Sequence, residues 1–322
     1  MCFILLYSAY QVFHGQLKPG ELIALAGMSS TLFPGVANLA LISIPLAEAR
    51  VAFDRMFEFT SAPAEDDSNE NPLLSFESLQ VKNLSFRFAG RRQLLKNISF
   101  DVKKGEIIAL LGEIGCGKST LANILQKSYT PEAGSITVNA IRRLDGIGFE
   151  AWRNITGIVA QSGHLFNGTV LENIAFDDAK TKSEEIVQFL QDNGFASFIN
   201  SLPQSFMTIV GEEGVNLSGG QRQMIALARA LYHKPQLLIL DEASSAMDRE
   251  TEHFMVRLLT KLKHEMAIVF ITHKLQIVRS MCNRIYIIEN GTTAVAGSHE
   301  ALMQSDNVYS RYWNDLELQK AL

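Results

Sequence analysis

Residues 112–120 read Gly112-Glu113-Ile114-Gly115-Cys116-Gly117-Lys118-Ser119-Thr120, which matches the pattern GxxxxGK[ST]. The run before it, Ile107-Ile108-Ala109-Leu110-Leu111, has the apolar character of a buried strand, and a helical pattern starts near Ser119. Strand, glycine-rich loop and helix in that order are the setting the motif requires. The glycines let the backbone wrap closely around phosphates, so that successive N–H groups and the helix N-terminus point at negative charge. Lys118 is then expected on the β and γ phosphates of a nucleotide, and the Ser119 hydroxyl on Mg²⁺. Gly112, Glu113, Ile114, Gly115, Cys116, Gly117 and Thr120 complete the candidate nucleotide-binding loop.

Further along, Leu237-Leu238-Ile239-Leu240-Asp241-Glu242 is an apolar strand that ends in two adjacent carboxylates. Asp241 is placed to hold Mg²⁺ directly or through water. Glu242, expected to point the other way because side chains alternate along a strand, is placed to polarise an attacking water as general base. Two acids ending a strand are a weak signal alone. The phosphate loop upstream is what gives them meaning.

Leu217-Ser218-Gly219-Gly220-Gln221, followed by a helical pattern over residues 222–232, resembles the signature motif of the ATP-binding cassette (ABC) proteins. The resemblance runs over roughly residues 79–315, and further family elements follow in the right order. It implies an α/β P-loop NTPase cassette: a parallel core sheet with an antiparallel β subdomain and a helical subdomain, binding ATP and Mg²⁺ and hydrolysing the nucleotide. Gln161, after the run 155–160, is similar to the family's Q-loop glutamine, which senses Mg²⁺ and couples to membrane helices. Ser245-Ala246-Met247-Asp248 resembles the D-loop, with Met247 where Leu is usual. His273 resembles the switch histidine at the γ phosphate. Phe88 stands where most relatives carry a Tyr that stacks on adenine, so the ring face is kept and the hydroxyl is lost. Val210-Gly211-Glu212-Glu213-Gly214 resembles the X-loop of exporters. The resemblance thus assigns Glu242, His273 and Gln161 to catalysis, Ser119, Gln161 and Asp241 to the metal, and Ser218, Gly219, Gly220, Gln221 and Asp248 to nucleotide contact.

The chain has 322 residues, 47% hydrophobic and 20% charged, enough for one large domain or two smaller ones. A formal net charge of −5 supplies no basic field, so nucleic acid is not the expected partner. Cys2, Cys116 and Cys282 lie far apart with no CxxC or Cys/His spacing, which argues against a disulfide framework and a structural zinc site. Cys116, near a helix N-terminus that would lower a thiol pKa, is read as a tolerated small residue, with redox regulation as the alternative. The other histidines, His14, His164, His233, His253, His264 and His299, fall in no ligand pattern and are expected at surfaces or turns.

Residues 22–47 carry no charge and are long enough to span a bilayer of roughly 30 Å. Pro34 and Pro45 are expected to kink the span, which membrane helices tolerate where neighbours cover the freed carbonyls. Residues 2–13 form a second apolar run, the tail of another span. Arg50 and Arg55 follow the long run and put its C-terminal end in the cytoplasm. Residues 61–72, SAPAEDDSNENP, read as a linker. The expected division is therefore a transmembrane part over 1–60, a linker over 61–76 and the cassette over 77–315. Near the end, residues 284–289 and 292–296 flank Asn290-Gly291, a hairpin signal.

The resemblance implies that one subunit's signature motif covers the γ phosphate on another's P-loop, so a second cassette is required and a homodimer is the default. Export-type half-transporters carry six membrane helices, and the N-terminus is accordingly expected to be cut. The protein is expected in the plasma or inner membrane, multi-pass, with its cassette in the cytoplasm. Residues 22–59 also resemble the last helix of bacterial exporters with a peptidase domain, whose cargo is a peptide; lipid and drug cargoes stay open. So do a soluble ABC ATPase acting on nucleic acid or ribosomes and a truncated ATP-binding fragment without transport activity.

Overall fold

A computed structural model describes residues 2–60, 75–113 and 115–321. The expected linker therefore lies outside the described residues apart from its last two positions, as does Ile114. The chain divides into two compact units, Met1–Glu65 and Asp66–Leu322.

The first unit is helical: Cys2–Phe13, Pro19–Leu41 and Ser43–Thr60. Pro34 sits inside the second helix, whereas the break at Ile42 falls beside Leu41, the residue whose carbonyl the Pro45 ring would crowd. Pro19–Glu58, 40 residues, is long and apolar enough to cross a membrane by length and composition. Large apolar side chains along it, among them Ile23, Leu32 and Leu39, are exposed.

The second unit is built on a six-stranded sheet. In chain order the strands are β1 (Ser78–Phe86), β2 (Leu95–Lys103), β3 (Ile107–Gly112), β4 (Ala133–Val138), β5 (Arg142–Arg143), β6 (Thr156–Val159), β7 (Gly168–Thr169), β8 (Ile209–Val210), β9 (Leu237–Asp241), β10 (Ala267–Ile271), β11 (Arg284–Glu289) and β12 (Thr292–Gly297). The large sheet runs β12-β11-β3-β10-β9-β6, parallel except for the β11–β12 hairpin. Its turn carries Asn290 and Gly291 at φ of 50° and 78°, as that dipeptide permits. An antiparallel sheet, β2-β1-β4-β5, forms the β subdomain.

Side-chain alternation divides the core between two faces. Leu238, Leu240, Ile268 and Phe270 join the cluster that includes the helical region from Val170 to Leu231. Leu237, Ile239, Val269 and Ile271 join the cluster shared with β1, β2 and the helix Lys118–Leu125. Strands covered on both faces read as unbroken apolar runs, which is why β3, β9 and β10 were visible in the sequence.

Candidate nucleotide site

The candidate site lies along the carboxyl ends of β3, β6, β9 and β10, where open parallel sheets present their loops. The phosphate loop leaves β3 at Gly112 and re-enters helix at Lys118. Gly117 makes that turn at φ 99°, and a Cβ there would also lie 2.6 Å from Leu95 Cδ2, so glycine is needed twice over. Leu121 N–H closes onto Gly117 O at 2.9 Å, while the N–H groups before it have no intrahelical acceptor. Lys118 is buried, its Nζ donating to the carbonyls of Gly112 at 2.8 Å and Glu113 at 2.9 Å. The ammonium thus sits inside the curl of the loop, the place an incoming phosphate would need it.

Asp241, the last residue of β9, is buried and its Oδ1 has no hydrogen-bond partner. Burial pushes its carboxyl pKa up, a hydrogen bond with Ser119 opposes that, and neighbouring Glu242 adds to the rise. An unpartnered buried carboxylate oxygen beside a hydroxyl is a donor set suited to a hard divalent cation, so the residues present fit Mg²⁺.

Glu242 departs from the expected reason for its orientation. It does not continue the strand's alternation: its backbone takes the left-handed region at φ 50°, with its N–H on Ile271 O at 2.9 Å. The Glu242 carboxylate then accepts from Gln161 Nε2 at 3.1 Å, and its other oxygen stands 3.6 Å from His273 Nδ1. Gln161 follows β6 and His273 follows β10, so three strand ends converge on one carboxylate.

Sequence reasoning missed Gln223. It is 1% exposed, and its amide nitrogen reaches Gln161 O at 3.3 Å, Glu242 O at 3.4 Å and Ser245 Oγ at 3.3 Å, while its oxygen accepts from Ala246 N at 3.4 Å. One side chain ties the signature helix to two loops, the one at Gln161 and the one that follows β9. Its position two residues beyond Gln221 was the only available signal.

The signature glycines sit against the D-loop. A Cβ on Gly219 would meet Ala246 Cβ at 2.7 Å. Ser218 Oγ accepts from Gln221 N at 3.1 Å and Gln221 Oε1 from Ser218 N at 2.8 Å, a capping box on the helix Gly219–Tyr232. Asp248 likewise caps the helix Arg249–Leu262, accepting from Thr251 N at 2.8 Å, and this bond holds its pKa low. Gln161, Glu212, Leu217 and Arg222 line a cleft of about 450 Å³, which brings the X-loop beside the Q-loop. Phe88 is half-buried, edge-on to Phe86 at 5.0 Å and Tyr129 at 5.6 Å. One expectation for a single residue changes, and the reading of Cys116 as a tolerated small residue gains support. His299 is half-buried, packed on Tyr309 and Trp313 rather than lying at a free surface. Burial pushes the Cys116 thiol up, against the activation that a helix N-terminus would give.

A parallel sheet, a phosphate loop with its lysine, and a strand-end acid pair define the second unit as a P-loop nucleotide-hydrolase cassette. The sequence model of the family described as ABC transporter matches residues 95–245. The chain is 33% identical over 314 residues to the leukotoxin translocation ATP-binding protein of Mannheimia glucosida, covering 97% of this chain and 44% of that protein. The protein of that name from Bibersteinia trehalosi gives the same figures. A solved bacterial Atm1-family ABC exporter with ATP bound superposes with a TM-score of 0.76 at 29% identity, covering 98% of this chain and 55% of the other. Residues 95–245 thus carry the ATP-binding cassette of the ABC transporter family, and the chain as a whole is similar to export-type ABC proteins. It spans less than half the length of the curated relatives it matches.

Proposed function

We propose that the chain binds ATP with Mg²⁺ and hydrolyses it as the cassette of a membrane exporter, in a pair with a second cassette. The observation that carries this is the convergence at one sheet edge: Lys118 inside the phosphate loop, Asp241 with a free buried oxygen, and Glu242 held by Gln161 and facing His273. Lys118 and the N–H groups of the following helix would bind the β and γ phosphates, and Phe88 would stack on adenine. Ser119, Asp241 and Gln161 would hold Mg²⁺, which neutralises charge on the phosphates when bound. Glu242 would take a proton from the attacking water, oriented by the Gln161 amide, while His273 would donate to the γ phosphate.

Ser218, Gly219, Gly220, Gln221 and Asp248 belong to this scheme as a surface for a partner's nucleotide. Gly219 and Gly220 pack against Ala246 in the D-loop of their own chain. A two-fold pair of cassettes would complete two equivalent sites, and a homodimer is the simplest such pair. Residues 1–60 are read as the end of a transmembrane domain in the cell membrane, 61–76 as the linker and 77–315 as the cytoplasmic cassette. The exposed apolar side chains of Pro19–Glu58 support membrane insertion. The relatives' name favours a polypeptide cargo.

The test is the molar mass of detergent-solubilised Glu242→Gln by light scattering, with and without Mg²⁺-ATP. Doubling of the protein mass on adding nucleotide supports the paired cassette. A bound nucleotide on an unchanged monomer rejects it.

A further inference from the structure

Glu113 is an acid in a loop whose task calls for positive potential. Its carbonyl accepts from Lys118 Nζ at 2.9 Å, so its backbone belongs to the phosphate cradle. A carboxylate free to turn toward bound phosphate would oppose binding. The structure gives it another partner, because Tyr312 Oη donates to Glu113 Oε1 at 3.0 Å. Hydrogen bonding to Glu113 also pushes the Tyr312 hydroxyl pKa up.

The donor comes from a well-anchored element. Tyr312 lies on the helix Val308–Ala321, whose Tyr309 and Trp313 are buried with Leu111, Ile285 and Ile287. His299 Nδ1 pairs with the Tyr309 hydroxyl at 2.8 Å, and the Arg279 guanidinium lies over the Trp313 ring at 5.3 Å. Leu111 is on β3, immediately before the phosphate loop, so the helix packs on the strand that carries the loop. Glu113, Cys116, Glu289 and Tyr312 line one cleft of about 310 Å³. Glu289 is a second acid there, so the cleft is a poor place for the Glu113 carboxylate unless a donor holds it.

We propose that Tyr312 is a positioning residue for nucleotide binding, holding the Glu113 carboxylate in the cleft beside the C-terminal helix and away from the phosphates. This rests on the reading of residues 112–120 as the phosphate site. The helix lies beyond the residues matched by the family model.

The experiment is a double-mutant cycle on the full chain in detergent, titrated with a fluorescent methylanthraniloyl ATP and Mg²⁺. Lys118→Ala is run first. If it binds like the parent, the phosphate-site reading itself fails, whatever the cycle gives. With binding lost in Lys118→Ala, Tyr312→Phe is expected to weaken affinity roughly three- to tenfold. That loss shrinks as ionic strength rises, because the freed charge is screened. In the Glu113→Gln background the same Tyr312→Phe change moves affinity by less than about twofold. Equal losses in both backgrounds, or no loss from Tyr312→Phe alone, overturn the role of Tyr312 and leave the site intact. A loss that salt does not alter also overturns it, since packing of the ring rather than a charge would then be responsible.

Discussion

Gln161 and Glu242, 81 positions apart in the sequence, meet through a hydrogen bond of 3.1 Å from the Gln161 amide to the Glu242 carboxylate. The bond fixes one oxygen of the candidate general base and leaves the other toward His273, at 3.6 Å. Glu242→Gln keeps the shape and removes the base. Its kcat for ATP hydrolysis is expected to fall by about 10²- to 10⁴-fold, with nucleotide affinity changed far less. Equal losses in kcat and affinity would contradict a role confined to the chemical step.

Asp241 supports a prediction with a definite sign. Its folded-state pKa is raised by burial, so it binds its proton more readily folded than unfolded. The stability that protonation confers is present below the ordinary carboxylate pKa and is lost as pH rises through the raised value. Without nucleotide or Mg²⁺, Asp241→Asn is therefore expected to melt higher than the parent at neutral pH, by several degrees, with the gap closing toward acid. The same variant loses Mg²⁺-dependent hydrolysis. Thermal melts across pH check it, and a variant that melts lower at neutral pH refutes it.

Gln223 is the residue most exposed to the cost of an unsatisfied buried group. Removing its amide leaves the Gln161 and Glu242 carbonyls without that donor. Gln223→Ala is expected to cost about 1–3 kcal/mol of stability, or about 2–4 °C of melting temperature per kcal/mol. It should also lower kcat, since Gln161 and Glu242 lose a shared brace. An unchanged melt with unchanged kcat would remove Gln223 from the site's scaffold.

What the sequence revealed followed the range of the interactions. The strand before Gly112, the helix after Lys118 and the hairpin at Asn290-Gly291 are set by neighbouring residues, and the structure has them as expected. The meeting of β6, β9 and β10 ends was legible only through the family resemblance, because nothing local says that Gln161 faces Glu242. The left-handed turn at Glu242 was not legible at all: it depends on the hydrogen bond from its N–H to Ile271 in the adjacent strand. Gln223 and Tyr312 escaped for a like reason. Their partners lie 62 and 199 positions away, and neither residue type carries a motif of its own.

Cysteine reactivity offers an independent check on the phosphate loop. Burial raises the Cys116 pKa, with Lys118 opposing it, and burial raises that of Cys282 far more. At neutral pH both should react with a maleimide more slowly than a thiol in a short peptide. Mass spectrometry of digested, time-sampled protein would read this. A Cys116 labelled as fast as the peptide thiol would revive redox control of the loop.

The most direct measurement is the Mg²⁺-ATPase rate of the detergent-solubilised chain as a function of its own concentration, with Glu242→Gln alongside. A site completed by a second cassette gives a rate that rises faster than linearly with protein, and a variant that is nearly inactive yet accumulates as a nucleotide-bound dimer. A specific activity independent of concentration, in a protein that stays monomeric with ATP bound, would contradict the shared site.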